Sequence, residues 1–117
     1  MKDHYLALAT LILPEGILDF FELTAVGNDE EGLCIYLEEK NIVPIEHRSS
    51  PVHSKGFHAG VRVTDFPLRG KKVILCIKRR RWENTSTGEI VQRDWNLLSQ
   101  GTRITNEFAL LLKGVFR

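Results

Sequence analysis

Apolar and polar positions alternate with a period of two along much of this chain, and that pattern predicts most of its elements. The exception comes first. Tyr5-Leu6-Ala7-Leu8-Ala9-Thr10-Leu11-Ile12-Leu13 is an unbroken run rich in helix formers, which predicts an N-terminal helix capped by Asp3 and stopped by Pro14. Pro14-Glu15-Gly16-Ile17-Leu18 predicts a further short turn of helix. Phe20 to Gly27 and Leu33 to Glu39 read as two strands of a hairpin closed by the polar turn Asn28-Asp29-Glu30-Glu31-Gly32. In the return strand Leu33, Ile35 and Leu37 share one face and Cys34 and Tyr36 the other, while Glu38-Glu39 reads as a solvated strand end.

From Asn41 to Gly60 the alternation stops. Pro44, Ser49, Ser50, Pro51, Gly56 and Gly60 predict a long loop, and loops of this length are uncommon unless functional or mobile. Strands resume at Val61-Arg62-Val63-Thr64-Asp65-Phe66, turn tightly at Pro67-Leu68-Arg69-Gly70, and return as one long strand from Lys71 to Trp82. A turn at Asn84-Thr85-Ser86-Thr87-Gly88 leads to a strand from Ile90 to Trp95, and Thr105 caps a closing helix from Asn106 to Lys113 that Gly114 ends. The expected class is α+β: a small antiparallel sheet of about five strands in hairpins, with an N-terminal and a C-terminal helix.

Composition bounds the rest. The 117 residues suit a single domain that buries roughly two thirds of its unfolded surface. Cys34 and Cys76 lie in apolar runs and read as buried, reduced thiols of a cytoplasmic protein rather than a disulfide framework. No apolar stretch approaches the roughly 20 residues of a membrane span, and Tyr5 to Leu13 is too short and poorly flanked for a signal peptide.

The formal net charge of +1 conceals a segregation. Residues 1–46 hold two cations against ten acids, a net of −8. Residues 47–103 hold twelve cations against four acids, a net of +8, and residues 104–117 carry +1. The chain thus divides into an acidic helix-and-hairpin part (1–46), a basic β-rich part (47–103) and a closing helix (104–117). Such asymmetry suggests contact with nucleic acid or a membrane, unless the two segments neutralise each other in the fold.

Lys78-Arg79-Arg80-Arg81-Trp82 concentrates the positive charge directly behind the apolar run Val73-Ile74-Leu75-Cys76-Ile77. On one continuous strand, Arg79 and Arg81 share a face and Lys78, Arg80 and Trp82 share the other. Arginine forks match phosphate oxygens and an indole offers a stacking surface. The candidate DNA-binding residues are therefore Arg69, Lys71, Lys72, Lys78, Arg79, Arg80, Arg81 and Trp82, gathered on an exposed ridge that no carboxylate covers. The same run also suits a solvated strand end whose tryptophan packs on the core. Catalytic signatures are lacking: His4, His47, His53 and His58 show no metal-ligand spacing with each other or with the cysteines, and there is no nucleophile elbow or phosphate-binding loop. The expectation is a non-enzyme with no cofactor and no metal, its histidines at the surface.

The block Val52 to Trp82, VHSKGFHAGVRVTDFPLRGKKVILCIKRRRW, resembles the N-terminal segment of insertion-sequence transposases of the ISL-three type. The start of the chain and the later TGEIVQRDWNLLSQGTRITNEF resemble the ISAon subgroup, whose N-terminal region occupies its own small reading frame. The likeness runs from about Ile12 to Phe108. It implies recognition of double-stranded DNA at transposon ends, a separate catalytic transposase polypeptide as partner, and a degenerate zinc ribbon. Zinc-bearing relatives carry cysteine pairs before the Val-His-Ser segment and after the Arg-Arg-aromatic segment. Here neither Ile42 to Ser50 nor Glu83 to Gly88 contains one. The alternative role is a protein-interaction module that docks the catalytic polypeptide or a second copy of the chain through the acidic hairpin and the closing helix, without touching DNA.

Overall fold

The structure, a computed structural model, describes residues 2–14 and 16–94. The expected helix from Asn106 to Lys113 and the Trp95 end of the last expected strand lie outside these residues. Two compact units separate: Met1–Phe20 with Arg93–Arg117, and Phe21–Gln92.

In the first unit, α1 spans Lys2–Ile12 and α2 Ile17–Phe20. Leu13 N–H still donates to Ala9 C=O at 2.8 Å, but Pro14 has no N–H to continue the ladder, so the helix ends where the sequence predicts. Leu13 and Ile17 are buried, whereas Leu8 and Leu11 of α1 are 57% and 84% exposed.

The second unit is built of seven strands: β1 Phe21–Asn28, β2 Gly32–Glu39, β3 Val52–Phe57, β4 Val61–Leu68, β5 Lys71–Lys78, β6 Arg80–Asn84 and β7 Ile90–Val91. They form a four-stranded sheet, β1-β2-β5-β4, and a three-stranded sheet, β3-β6-β7. The chain is thus mixed helix and sheet, mostly β, but its strands number more than expected and fill two sheets. The β1–β2 and β4–β5 hairpins are as the sequence predicts. One pairing is not antiparallel: β2 and β5 run parallel, with Gly32 opposite Lys72 and Glu38 opposite Lys78. No local pattern announces that pairing, because it depends on a crossover of some thirty residues between the strands.

The supposed loop from Asn41 to Gly60 holds a 3-10 turn at Ile45–His47 and the strand β3. His53, Ser54, Lys55 and Gly56 give β3 no alternation to read; it is held instead by its antiparallel ladder to β6. A bulge between Ser54 and Phe57 accommodates Gly56 at φ 78°.

The four-stranded sheet is apolar on one face. Leu37 and Ile77 sit opposite each other at 0% exposure, and Ile35, Val63, Val73 and Leu75 continue the layer. Phe21 and Trp82 are also fully buried. Tyr36, Arg62 and Thr64 on the opposite face are exposed. Gly32 is fixed by the parallel pairing, since a Cβ there would collide with the Lys72 carbonyl oxygen. Gly32→Ala is accordingly expected to lose about 1–3 kcal/mol of stability in a urea titration, through this clash and the φ of 150°; an unchanged midpoint would contradict the parallel register.

Candidate nucleic-acid interface

The long basic strand does not exist as one element. β5 ends at Lys78, Arg79 crosses between the sheets, and β6 begins at Arg80 in the second sheet. His58 N–H donates to Arg79 C=O at 2.8 Å at this crossing. Lys78 therefore lies in a different sheet from Arg80 and Trp82, and Arg79 belongs to neither strand.

The cause lies in Glu39, which is fully buried rather than a solvated strand end. Continuing the β2–β5 register by one residue beyond Glu38–Lys78 brings Glu39 beside Arg79. Arg79 is only 7% exposed; burial lowers the pKa of its guanidinium and the Glu39 charge opposes that shift. One carboxylate oxygen of Glu39 accepts the Arg80 backbone N–H at 2.9 Å, and the Glu39 carbonyl accepts Arg80 Nε–H at 3.0 Å. Arg80 also donates to Ser54 Oγ at 2.6 Å and lies over the Phe57 ring, 4.6 Å from its centroid, because Phe57 is its cross-strand neighbour.

Trp82 is enclosed at 0% exposure between Ser54 of β3 and Val91 of β7, and its indole N–H donates to Asn41 Oδ1 at 3.0 Å. No ring face is open to a base. The packing alternative describes Trp82; stacking does not.

The other cations stand differently. Arg69, Lys71, Lys72 and Lys78 are exposed, and Arg81 is half-buried. Arg69 and Gly70, with φ of 52° and 79°, make the two-residue tip of the β4–β5 hairpin. The parallel register sets the acidic turn Asp29-Glu30-Glu31 at this same end of the sheet, so the expected ridge clear of carboxylates is replaced by neighbouring patches of opposite sign. Arg62 intercepts much of the acidic charge, pairing with Asp29 at 3.3 Å and Glu31 at 3.8 Å. A further ion pair joins Lys55 and Glu83 at 3.4 Å. None of Arg69, Lys71, Lys72, Lys78, Arg80 or Arg81 has a carboxylate oxygen within 4 Å of its side-chain nitrogens among the described residues.

Both cysteines are free, Cys34 buried and Cys76 half-buried. Cys34 Sγ donates to Asp29 at 3.2 Å. That bond, helped by the Glu31 backbone N–H, holds the Asp29 carboxyl below its usual range, and the same bond with burial pushes the Cys34 thiol up. A thiol so held stays protonated and is a poor nucleophile. Among the described residues no three His, Cys, Asp or Glu side chains are placed to share a metal ion, and no helix is long and apolar enough to cross a membrane. His58 is half-buried rather than at the surface.

The described residues therefore define a mostly β, mixed helix–sheet protein with uncompensated cations around β5 and β6. No family model, curated protein or solved structure matches the chain.

Proposed function

We propose that this chain is a non-catalytic DNA-gripping region of an insertion-sequence transposase, acting in the cytoplasm beside a separate catalytic polypeptide. The observation that supports it is the set of six cations on β5, β6 and the β4–β5 tip that lack carboxylate partners among the described residues. Arg69, Lys71, Lys72 and Lys78 reach phosphates, Arg80 and Arg81 reach them at the half-buried end of the strip, and Arg79 and Trp82 are the framework beneath. Phosphate contacts of this kind position a duplex without reading its sequence. The variant Lys71→Glu, Lys72→Glu, Lys78→Glu is expected to lose duplex binding in a gel shift while keeping its circular dichroism, because all three side chains are exposed. Undiminished binding by that folded variant would overturn the proposal.

A second reading, docking of a protein partner, is favoured by the apolar exposure of Leu8, Leu11 and Ile12 on α1. A pull-down with the catalytic polypeptide in high salt after nuclease treatment separates the two: retained association supports docking, and loss supports a nucleic-acid bridge.

A further inference from the structure

The open face of the four-stranded sheet carries a feature that the cations of β5 do not explain. Strand pairing sets Tyr36 of β2 beside Cys76 of β5, and Cys76 beside Arg62 of β4, so the three side chains form one row across the sheet. Glu38 and Lys78 face each other in the next row on the same side. A recess of about 380 Å³ opens over these rows, within the size range of small-ligand sites. The β1 bulge shapes one margin, where Thr24 donates its hydroxyl to the Tyr36 carbonyl at 3.3 Å. Gly60 lies on the margin beside the Lys78 stem. The lining is accessible: Tyr36 is 40% exposed, and Lys78 is exposed. The Arg62 guanidinium is held in place, donating to Asp29 at 3.3 Å and resting against Cys76 Sγ at 3.8 Å and Cys34 Sγ at 4.0 Å. Its side chain nonetheless stays 47% exposed. Glu38 and Lys78 stand opposite each other, yet neither has an ion-pair partner within 4 Å among the described residues. An aromatic ring, two cations and an uncommitted carboxylate thus surround one space.

We propose that this recess receives one unpaired nucleotide of single-stranded DNA, its base stacked on Tyr36, its base edge donating to Glu38 and its phosphate held by Lys78 and Arg62. Every base has a π face for stacking and an N–H donor on its pairing edge, so the recess takes any base. A paired base cannot enter, because its faces are stacked and its edge is occupied in the duplex. The sheet face therefore recognises the state of the strand, not its sequence. This goes beyond the duplex grip, with which it shares Lys78.

The test uses the full chain and a labelled mixed-sequence DNA strand of about ten nucleotides, with binding followed by fluorescence anisotropy. The wild type is expected to bind the strand. Bound strand is expected to slow alkylation of the half-buried Cys76 by iodoacetamide, with the buried Cys34 as internal control. Tyr36→Ala is expected to weaken strand binding by about 5- to 150-fold, the range for one base–aromatic stack, and Tyr36→Phe to retain it. Gly60→Leu is expected to fill the recess and lose strand binding while keeping its circular dichroism, since a Cβ at Gly60 meets Lys78 Cγ only at 3.6 Å. A duplex of the same sequence is expected to bind Tyr36→Ala and wild type equally. Failure of the wild type to bind the strand, or Cys76 left unprotected by it, would overturn the recess whether or not any variant folds. So would a folded Tyr36→Ala that binds the strand as the wild type does, or that loses strand and duplex affinity alike. Tighter binding of an RNA strand of the same sequence would overturn the assignment to DNA. The two sites fail separately: duplex binding without strand binding removes the recess and leaves the grip, while Tyr36-dependent strand binding without duplex binding does the reverse.

Discussion

Replacing Glu39 with alanine is expected to destabilise the protein by about 3–5 kcal/mol, the range for removing one partner of a buried charge pair. The cost has a defined origin. Arg79 is buried with the Glu39 charge acting on it, and Arg80 directs its backbone N–H at the same carboxylate. Alanine leaves the guanidinium and the amide with water-excluded, unmet demands at the point where the chain passes between sheets. Glu39→Gln keeps an acceptor for the Arg80 amide but removes the charge, so it falls between alanine and wild type. Urea-induced unfolding measures both. A loss below about 1 kcal/mol for alanine would mean that Glu39 is solvated after all, as the pair Glu38-Glu39 reads in the sequence.

Trp82→Ala is the second large effect, expected to cost about 3–5 kcal/mol for the loss of a fully buried large aromatic. The three-stranded sheet is small, and Trp82 sits in its central strand between both neighbours. Asn41→Ala removes only the acceptor of the indole N–H and is expected to cost about 1 kcal/mol. Trp82→Phe tests role as well as stability. If the ring is framework, a folded phenylalanine variant binds duplex DNA as the wild type does, measured by the same gel shift. A selective loss of DNA affinity without loss of stability would return Trp82 to the contact surface.

Much of the fold was legible because hairpins announce themselves. The alternation in Leu33 to Leu37, the acidic turn before it and the apolar run of β5 all describe contacts between neighbours in sequence. What stayed hidden is non-local. The parallel β2–β5 register leaves no trace in either strand, yet it buries Glu39 against Arg79 and brings the acidic turn to the Lys72 end of β5. Four consecutive cations are compatible with any strand phase, so nothing in Lys78 to Arg81 marks the break at Arg79. Charge sign could be read; which charges were already compensated could not. Trp82 carried its own signal, since a tryptophan following an apolar strand packs inward more readily than it stacks outward. His58 gave none, because its burial depends on β3, whose polar sequence hid that strand.

The account rests on charged side chains at the surface of β5 being free to meet phosphates. Its most direct test is the salt dependence of duplex binding by the wild type and by the Lys71→Glu, Lys72→Glu, Lys78→Glu variant. About five neutralised phosphates give a wild-type slope of log affinity against log salt near −4 to −5, and removing three contacts makes the slope of any residual binding shallower by about 3. A wild-type slope near zero, or a variant whose slope and affinity match the wild type, would contradict it.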